Sequence, residues 1–174
     1  MYSSLQLINS EYQDLLQNPI ASIGVCVGMP DPNNPYIWQC TMIGPTDTSF
    51  RGGIFYLRII FPKDYPNSAP EVKFITPIYH VNVNHIKQPT CPLGHICLST
   101  LNYWNPQYRM REVLTNIFAL FYMGNPESPY GIDRQGEMMG NPQLFEKKIA
   151  YFTQKYASPQ LGFKEYDHWD FSYP

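Results

Sequence analysis

Residues 1–50 contain no lysine, arginine or histidine, although Glu11, Asp14, Asp31 and Asp47 fall among them. All twelve lysines and arginines of the 174-residue chain lie beyond that point, and they do not gather into a basic stripe. A nucleic-acid partner is therefore not expected. No run reaches the roughly 18 apolar residues that mark a transmembrane helix, so no membrane partner is expected either. The opening "MYSSLQLINSEYQDLL" lacks the basic start and apolar centre of a signal peptide. No G-x-x-x-x-G-K phosphate cradle occurs. C-x-x-C is absent, and four cysteines in a chain of this length do not suggest a disulfide framework. Reduced thiols, in the cytoplasm or nucleus or both, are the expectation. Internal repeats, low-complexity tracts and linkers are missing too.

What is present suits one domain with a sizeable core, since hydrophobic residues make up 44% of the chain. Seventeen prolines break it into short elements. Leu5, Ile8, Tyr12, Leu15 and Leu16 recur at helical spacing, with Ser3 or Ser4 to cap the helix and Asn18-Pro19 to stop it. "SIGVCVGM", "YIWQCTMIG", "IFYLRIIF" and "EVKFIT" read as four strands, and their close spacing favours an antiparallel meander. From Pro77 to about Pro106 periodicity disappears, and long loops of this kind are usually functional or disordered. Met110, Val113, Leu114, Ile117, Phe118 and Phe121 then form a broad apolar helical stripe, and a last helix starts at Asn141-Pro142. The fold class is α+β: an N-terminal helix, a four-stranded meander, a long loop, then two to three C-terminal helices. The core is expected over residues 1–158, with 159–174 as a C-terminal extension that packs back onto it.

The loop segment "HVNVNHIKQPTCPLGHICLSTL" holds three of the four histidines and two of the four cysteines. His80, His85, Cys91, His95 and Cys97 include metal-ligating types, but the knuckle spacing of structural zinc sites is missing, so no metal is expected. A Cys97 nucleophile with His80 or His95 as base is a second reading, without the local signatures of cysteine proteases. A merely buried Cys97 is a third.

The segments "GPTDTSFRGGIFYLRIIFP", "FPKDYPNSAPEVKFITPIYHVN", "GHICLSTL", "WNPQ" and "GNPESP", in this order, resemble the ubiquitin-conjugating enzyme family. The match runs from Leu5 to about Ala157. It implies that Cys97 takes ubiquitin or a ubiquitin-like modifier as a thioester from an activating enzyme. The modifier then passes to a substrate lysine, with a ligase or through a ligase cysteine. No cofactor is implied, because the activating enzyme consumes the ATP. Asn82 falls on the family's asparagine, whose amide can donate to the tetrahedral oxyanion; one such donor is worth about 3–4 kcal/mol of barrier. It can equally brace the loop. The resemblance gives His80 a structural role, and Val81 stands where the family has proline. Ser128 stands where many members carry an aspartate facing the incoming lysine. Neutralising that lysine at pH 7 costs about 4–5 kcal/mol, and Ser128 brings no charge to offset it. Gly94 lies twelve residues after Asn82, more than twice the spacing of the short family form, so a segment within "NHIKQPTCP" looks inserted beside the thiol.

The resemblance also places ligase contacts at Asn67 and at Asn105, Pro106 and Gln107, and activating-enzyme contacts on the first helix at Gln6, Asn9 and Gln13. Family members often carry basic residues on that helix; this one has none. A monomer is expected. The alternative is a catalytically weak or inactive relative of the same fold that serves as a binding scaffold.

Overall fold

The computed structural model describes residues 2–20, 22 and 24–174. Helix α1, Ser4–Gln17, starts on a capping box: Gln6 N–H donates to Ser3 Oγ at 3.2 Å, and Ser3 N–H donates to Gln6 Oε1 at 2.9 Å. Its inner face is the one the apolar spacing suggests at Ile8, Tyr12 and Leu15 but not at Leu5 and Leu16. Ile8 and Leu15 are buried, but Leu5 is 40% and Leu16 49% exposed, and the buried residue between them is Glu11. Glu11 is drawn inward by two hydrogen bonds, a signal that hydropathy does not carry.

Strands β1 (Val25–Gly28), β2 (Ile37–Ile43), β3 (Ile54–Ile60) and β4 (Glu71–Phe74) form one antiparallel sheet in chain order. Of the first expected strand stretch, Ile23 lies outside the described residues. One row of the register runs Val27, Cys40, Leu57, Phe74. Alternation then sends Trp38, Cys40, Met42, Phe55, Leu57 and Ile59 to the inner face, all fully buried.

After β4 the chain forms a long loop with a single helical turn, α2 (Ser99–Asn102), at its end. Helix α3 (Met110–Ala119) lies in the core: Met110, Val113, Leu114 and Ile117 are fully buried. Helix α4 (Ile132–Gly140) buries only Arg134, which is why its sequence shows no apolar stripe. Helix α5 (Pro142–Ala157) opens on Asn141, whose Oδ1 accepts from Leu144 N–H at 3.2 Å, with Pro142 in the first turn. None of these helices is long and apolar enough to cross a membrane.

Past a short 3-10 turn at Pro159–Leu161 the chain folds back onto the domain. Phe163 meets Tyr56 edge-on, Glu165 pairs with Arg58, and Tyr156 Oη donates to Asp170 O at 2.7 Å. Trp169 belongs to the same buried cluster as Phe152 and Tyr156.

Candidate active site

The end of β4 anchors the loop. Phe74 N–H donates to Gly94 O at 2.9 Å, Gly94 N–H to Asn84 O at 2.9 Å, Asn84 N–H to His95 O at 2.8 Å, and Cys97 N–H to Asn82 O at 2.8 Å. Residues 94–97 are thereby held between β4 and the stretch 82–84. Gly94 makes this possible: its φ is +81°, and a Cβ there would lie 1.8 Å from Phe74 O.

Cys97 follows at once, half-buried and free. Its Sγ accepts from Asn102 Nδ2 at 3.5 Å, across the turn of α2. The sulfur's partner is thus an amide and not an imidazole, so the Cys–His hydrolase reading lacks its base. Among the described residues no group of three or more His, Cys, Asp or Glu side chains is arranged to hold a metal ion.

His80 is buried and used at both nitrogens: Asn82 N–H donates to Nδ1 at 2.9 Å, and Nε2 meets Leu120 O at 2.8 Å. These partners define a neutral ring with its proton on Nε2. Burial pushes its pKa down to about 4. Val81 is buried beside it, and its carbonyl accepts from Tyr130 N–H at 2.8 Å. The contacts that hold the loop at Val81 are therefore packing and a backbone bond from the facing loop.

Asn82 is fully buried. Its Oδ1 accepts from Asn125 N–H at 2.7 Å, and its Nδ2 donates to Asn125 O at 2.8 Å and Ser128 O at 2.9 Å. Both amide hydrogens are committed, so in this conformation Asn82 braces the 125–128 loop; donation to an oxyanion would require releasing one of them. Ser128 contributes its backbone carbonyl to this brace while its side chain is exposed.

The inserted segment is a small hairpin. Gln88 and Cys91 exchange backbone bonds at 3.2 and 3.3 Å around Pro89-Thr90. Asn84 holds its base, donating to Ile86 O, Cys91 O and Pro92 O at 2.8, 3.1 and 2.9 Å. The hairpin returns Cys91 toward the thiol loop, where its Sγ lies 3.6 Å from Tyr130 Oη. That hydroxyl also bonds His95 Nδ1. Sequence reading did not single out Tyr130, Asn84 or Asn102; only the fold brings them to the loop.

The expected docking residues are all exposed. Asn67 and Asn105–Gln107 come together because Trp104 Nε1 donates to Pro66 O at 2.7 Å, tying the two loops. Gln6, Asn9 and Gln13 share the outer face of α1.

A helix, a four-stranded meander and C-terminal helices, with a half-exposed thiol on a loop braced by an asparagine, define the ubiquitin-conjugating class of α+β domain. The family model described as ubiquitin-conjugating enzyme matches residues 7–153, and the chain belongs to that family. It is 37% identical over 158 residues to the Drosophila melanogaster protein named ubiquitin-conjugating enzyme E2 N, covering 90% of this chain and 98% of that one. It is 32% identical over 167 residues to the Schizosaccharomyces pombe protein named ubiquitin-conjugating enzyme E2 15, covering 88% of this chain and 95% of that one. Membership implies a transferase of the ubiquitin-conjugation pathway, which works in general with ubiquitin, an activating enzyme and a ligase.

Proposed function

We propose that Cys97 receives ubiquitin or a ubiquitin-like modifier as a thioester from an activating enzyme and delivers it to a substrate lysine, with a ligase or through a ligase cysteine. One observation carries this reading: a free, half-exposed sulfur stands at the start of α2, on a loop fixed by backbone bonds from Phe74 and Asn82. A thioester has a good leaving group, so the site needs chiefly to position the amine and stabilise the developing oxyanion.

Asn82 keeps the 125–128 loop at the distance the reaction requires. When the thioester forms, one of its hydrogens is the donor to the oxyanion, released from Asn125 O or Ser128 O. Exposed Ser128 faces the acceptor. Asn67 and Asn105–Gln107 meet the ligase, and Gln6, Asn9 and Gln13 meet the activating enzyme.

The experiment mixes the protein with activating enzyme, modifier and ATP, and runs the product on a non-reducing gel. A thiol-sensitive adduct on the wild type, absent from Cys97→Ala and replaced by a thiol-resistant oxyester in Cys97→Ser, supports the reading. No adduct with any modifier and activating enzyme supports the scaffold alternative.

A further inference from the structure

The thioester reading leaves the proton of the attacking lysine without a receiver. Ser128 has an exposed hydroxyl, and its bonds to Asn82 and Asn125 are made by its backbone. Two residues away, Tyr130 differs in this respect. Its hydroxyl sits between Cys91 Sγ, at 3.6 Å, and His95 Nδ1. It is only partly exposed, and its backbone is fixed by Val81 O. His95 lies two residues before Cys97 in the extended stretch, so the two side chains leave the same side of the chain. A hydroxyl with one hydrogen and two acceptor sites can give its hydrogen to His95, accept from the Cys91 thiol, and keep one lone pair for a newcomer.

We propose that the Tyr130 hydroxyl, backed by the His95 imidazole, takes the proton from the lysine amine that attacks the Cys97 thioester. This rests on the thioester reading above. The amine lone pair forms the C–N bond, and the carbonyl π pair moves onto oxygen. The nitrogen, now positively charged, passes a proton to Tyr130 Oη, while the hydrogen of Tyr130 moves to His95 Nδ1. The oxygen pair re-forms the carbonyl, the C–S bond breaks, and Cys97 leaves as thiolate. The His95 imidazolium then releases its proton to solvent, and the Cys97 thiolate takes one up from it. The products are an isopeptide bond and a neutral thiol.

The surroundings suit each role. Burial pulls the His95 pKa below its ordinary value, which keeps the ring neutral and able to accept. Burial, the bond to Cys91 and the nearby cysteine charges push the Tyr130 pKa up, so the hydroxyl stays protonated and acts as a conduit rather than as a phenolate. His95 meets Glu71 and Lys73 on β4 and Tyr130 on the facing loop, and Cys91 on the hairpin and Cys97 on its own segment act on Tyr130. Glu71 partly opposes the effect of burial. The inserted hairpin has a task in this scheme, because it brings Cys91 to Tyr130 and orients the hydroxyl.

The test charges Cys97, stops the activating enzyme, and follows discharge to free lysine and, separately, to N-acetylcysteine, which attacks as a thiolate and has no amine proton to lose. Tyr130→Phe keeps the ring and removes the relay; the ratio of lysine to thiol discharge falls at least tenfold, within the usual range for a lost acid–base group. His95→Gln lowers the same ratio and changes its pH dependence. In the wild type, lysine discharge steepens on acidification once His95 protonates, whereas in His95→Gln it keeps the single slope of amine ionisation. A charged protein whose ratio stays within twofold of wild type in both variants overturns the relay and leaves the thioester reading standing. A wild-type protein that never charges overturns both.

Discussion

The Tyr65 hydroxyl, in the loop between β3 and β4, donates to the buried carboxylate of Glu11 in α1 at 2.7 Å. The other Glu11 oxygen accepts from Met110 N–H, the first residue of α3, at 2.7 Å. One carboxylate thus joins three elements, with Arg109 Nε 4.0 Å away. Glu11→Ala leaves the Met110 amide unpartnered in the core and lowers the unfolding free energy by about 2–4 kcal/mol, read from urea melts.

Burial raises the Glu11 pKa above its ordinary value. The folded state therefore holds this proton where the unfolded chain has already released it. The resulting stability is complete below the unfolded value, near 4.5, and fades as pH rises through the raised folded value. Urea midpoints taken from pH 4 to 7 show this component in the wild type and lose it in Glu11→Gln, which has no proton to release.

His80 acts with the opposite sign. Its folded pKa is about 4 against an ordinary 6.5, so its contribution is complete above 6.5 and is lost as pH falls through 4. The drop amounts to about 3 kcal/mol. In a proton NMR titration the His80 ring signals hold constant from pH 8 to 5. A midpoint near 6.5 for that ring refutes its burial as a neutral brace.

Asn82→Ala removes three hydrogen bonds and strands Asn125 N–H and two carbonyls. Stability falls by about 2–4 kcal/mol, and amide exchange accelerates in residues 124–130. Asn82→Asp retains the acceptor for Asn125 but has no hydrogens for Ser128 O or Asn125 O, so it fails as a brace and as an oxyanion donor together. If Asn82→Ala discharges its thioester to lysine at the wild-type rate, the oxyanion role is excluded.

Gly94→Ala forces a side chain into left-handed backbone and into Phe74 O. The β4 contact breaks, and stability falls by about 3 kcal/mol or more in thermal melts. Charging of Cys97 falls with it, because the same bonds hold the thiol.

Lysines introduced at Gln6 and Asn9 speed charging several-fold at low ionic strength, and the gain shrinks in salt. Both positions are exposed on α1, which has no basic residue of its own. An unchanged rate at low salt contradicts the placement of the activating-enzyme surface.

Period and punctuation made the sheet and α3 readable from the sequence. Trp38, Cys40 and Met42 alternate along β2, and Met110 to Phe118 recur at helical spacing. Motifs put Cys97 and Asn82 in the candidate site, and the fold joins the two by a backbone bond. The face of α1 was misjudged at Leu5 and Leu16, because hydropathy ranks Leu5 above Glu11, while the fold satisfies Glu11 with Tyr65 and Met110. Helix α4 had no pattern to reveal it, since its one buried side chain is Arg134, stacked 3.7 Å over the Tyr79 ring. Tyr130 and His95 are 35 residues apart, and only the closure of the 125–130 loop over Val81 makes them neighbours.

Trp169 lies twelve residues beyond α5, yet it packs in the same buried cluster as Phe152 and Tyr156. A ribosome-bound chain lacking it would carry an unsealed seam along α5 even with every strand already made. A stop before Trp169 would therefore leave a protein with its thiol loop complete and its interior open to chaperones.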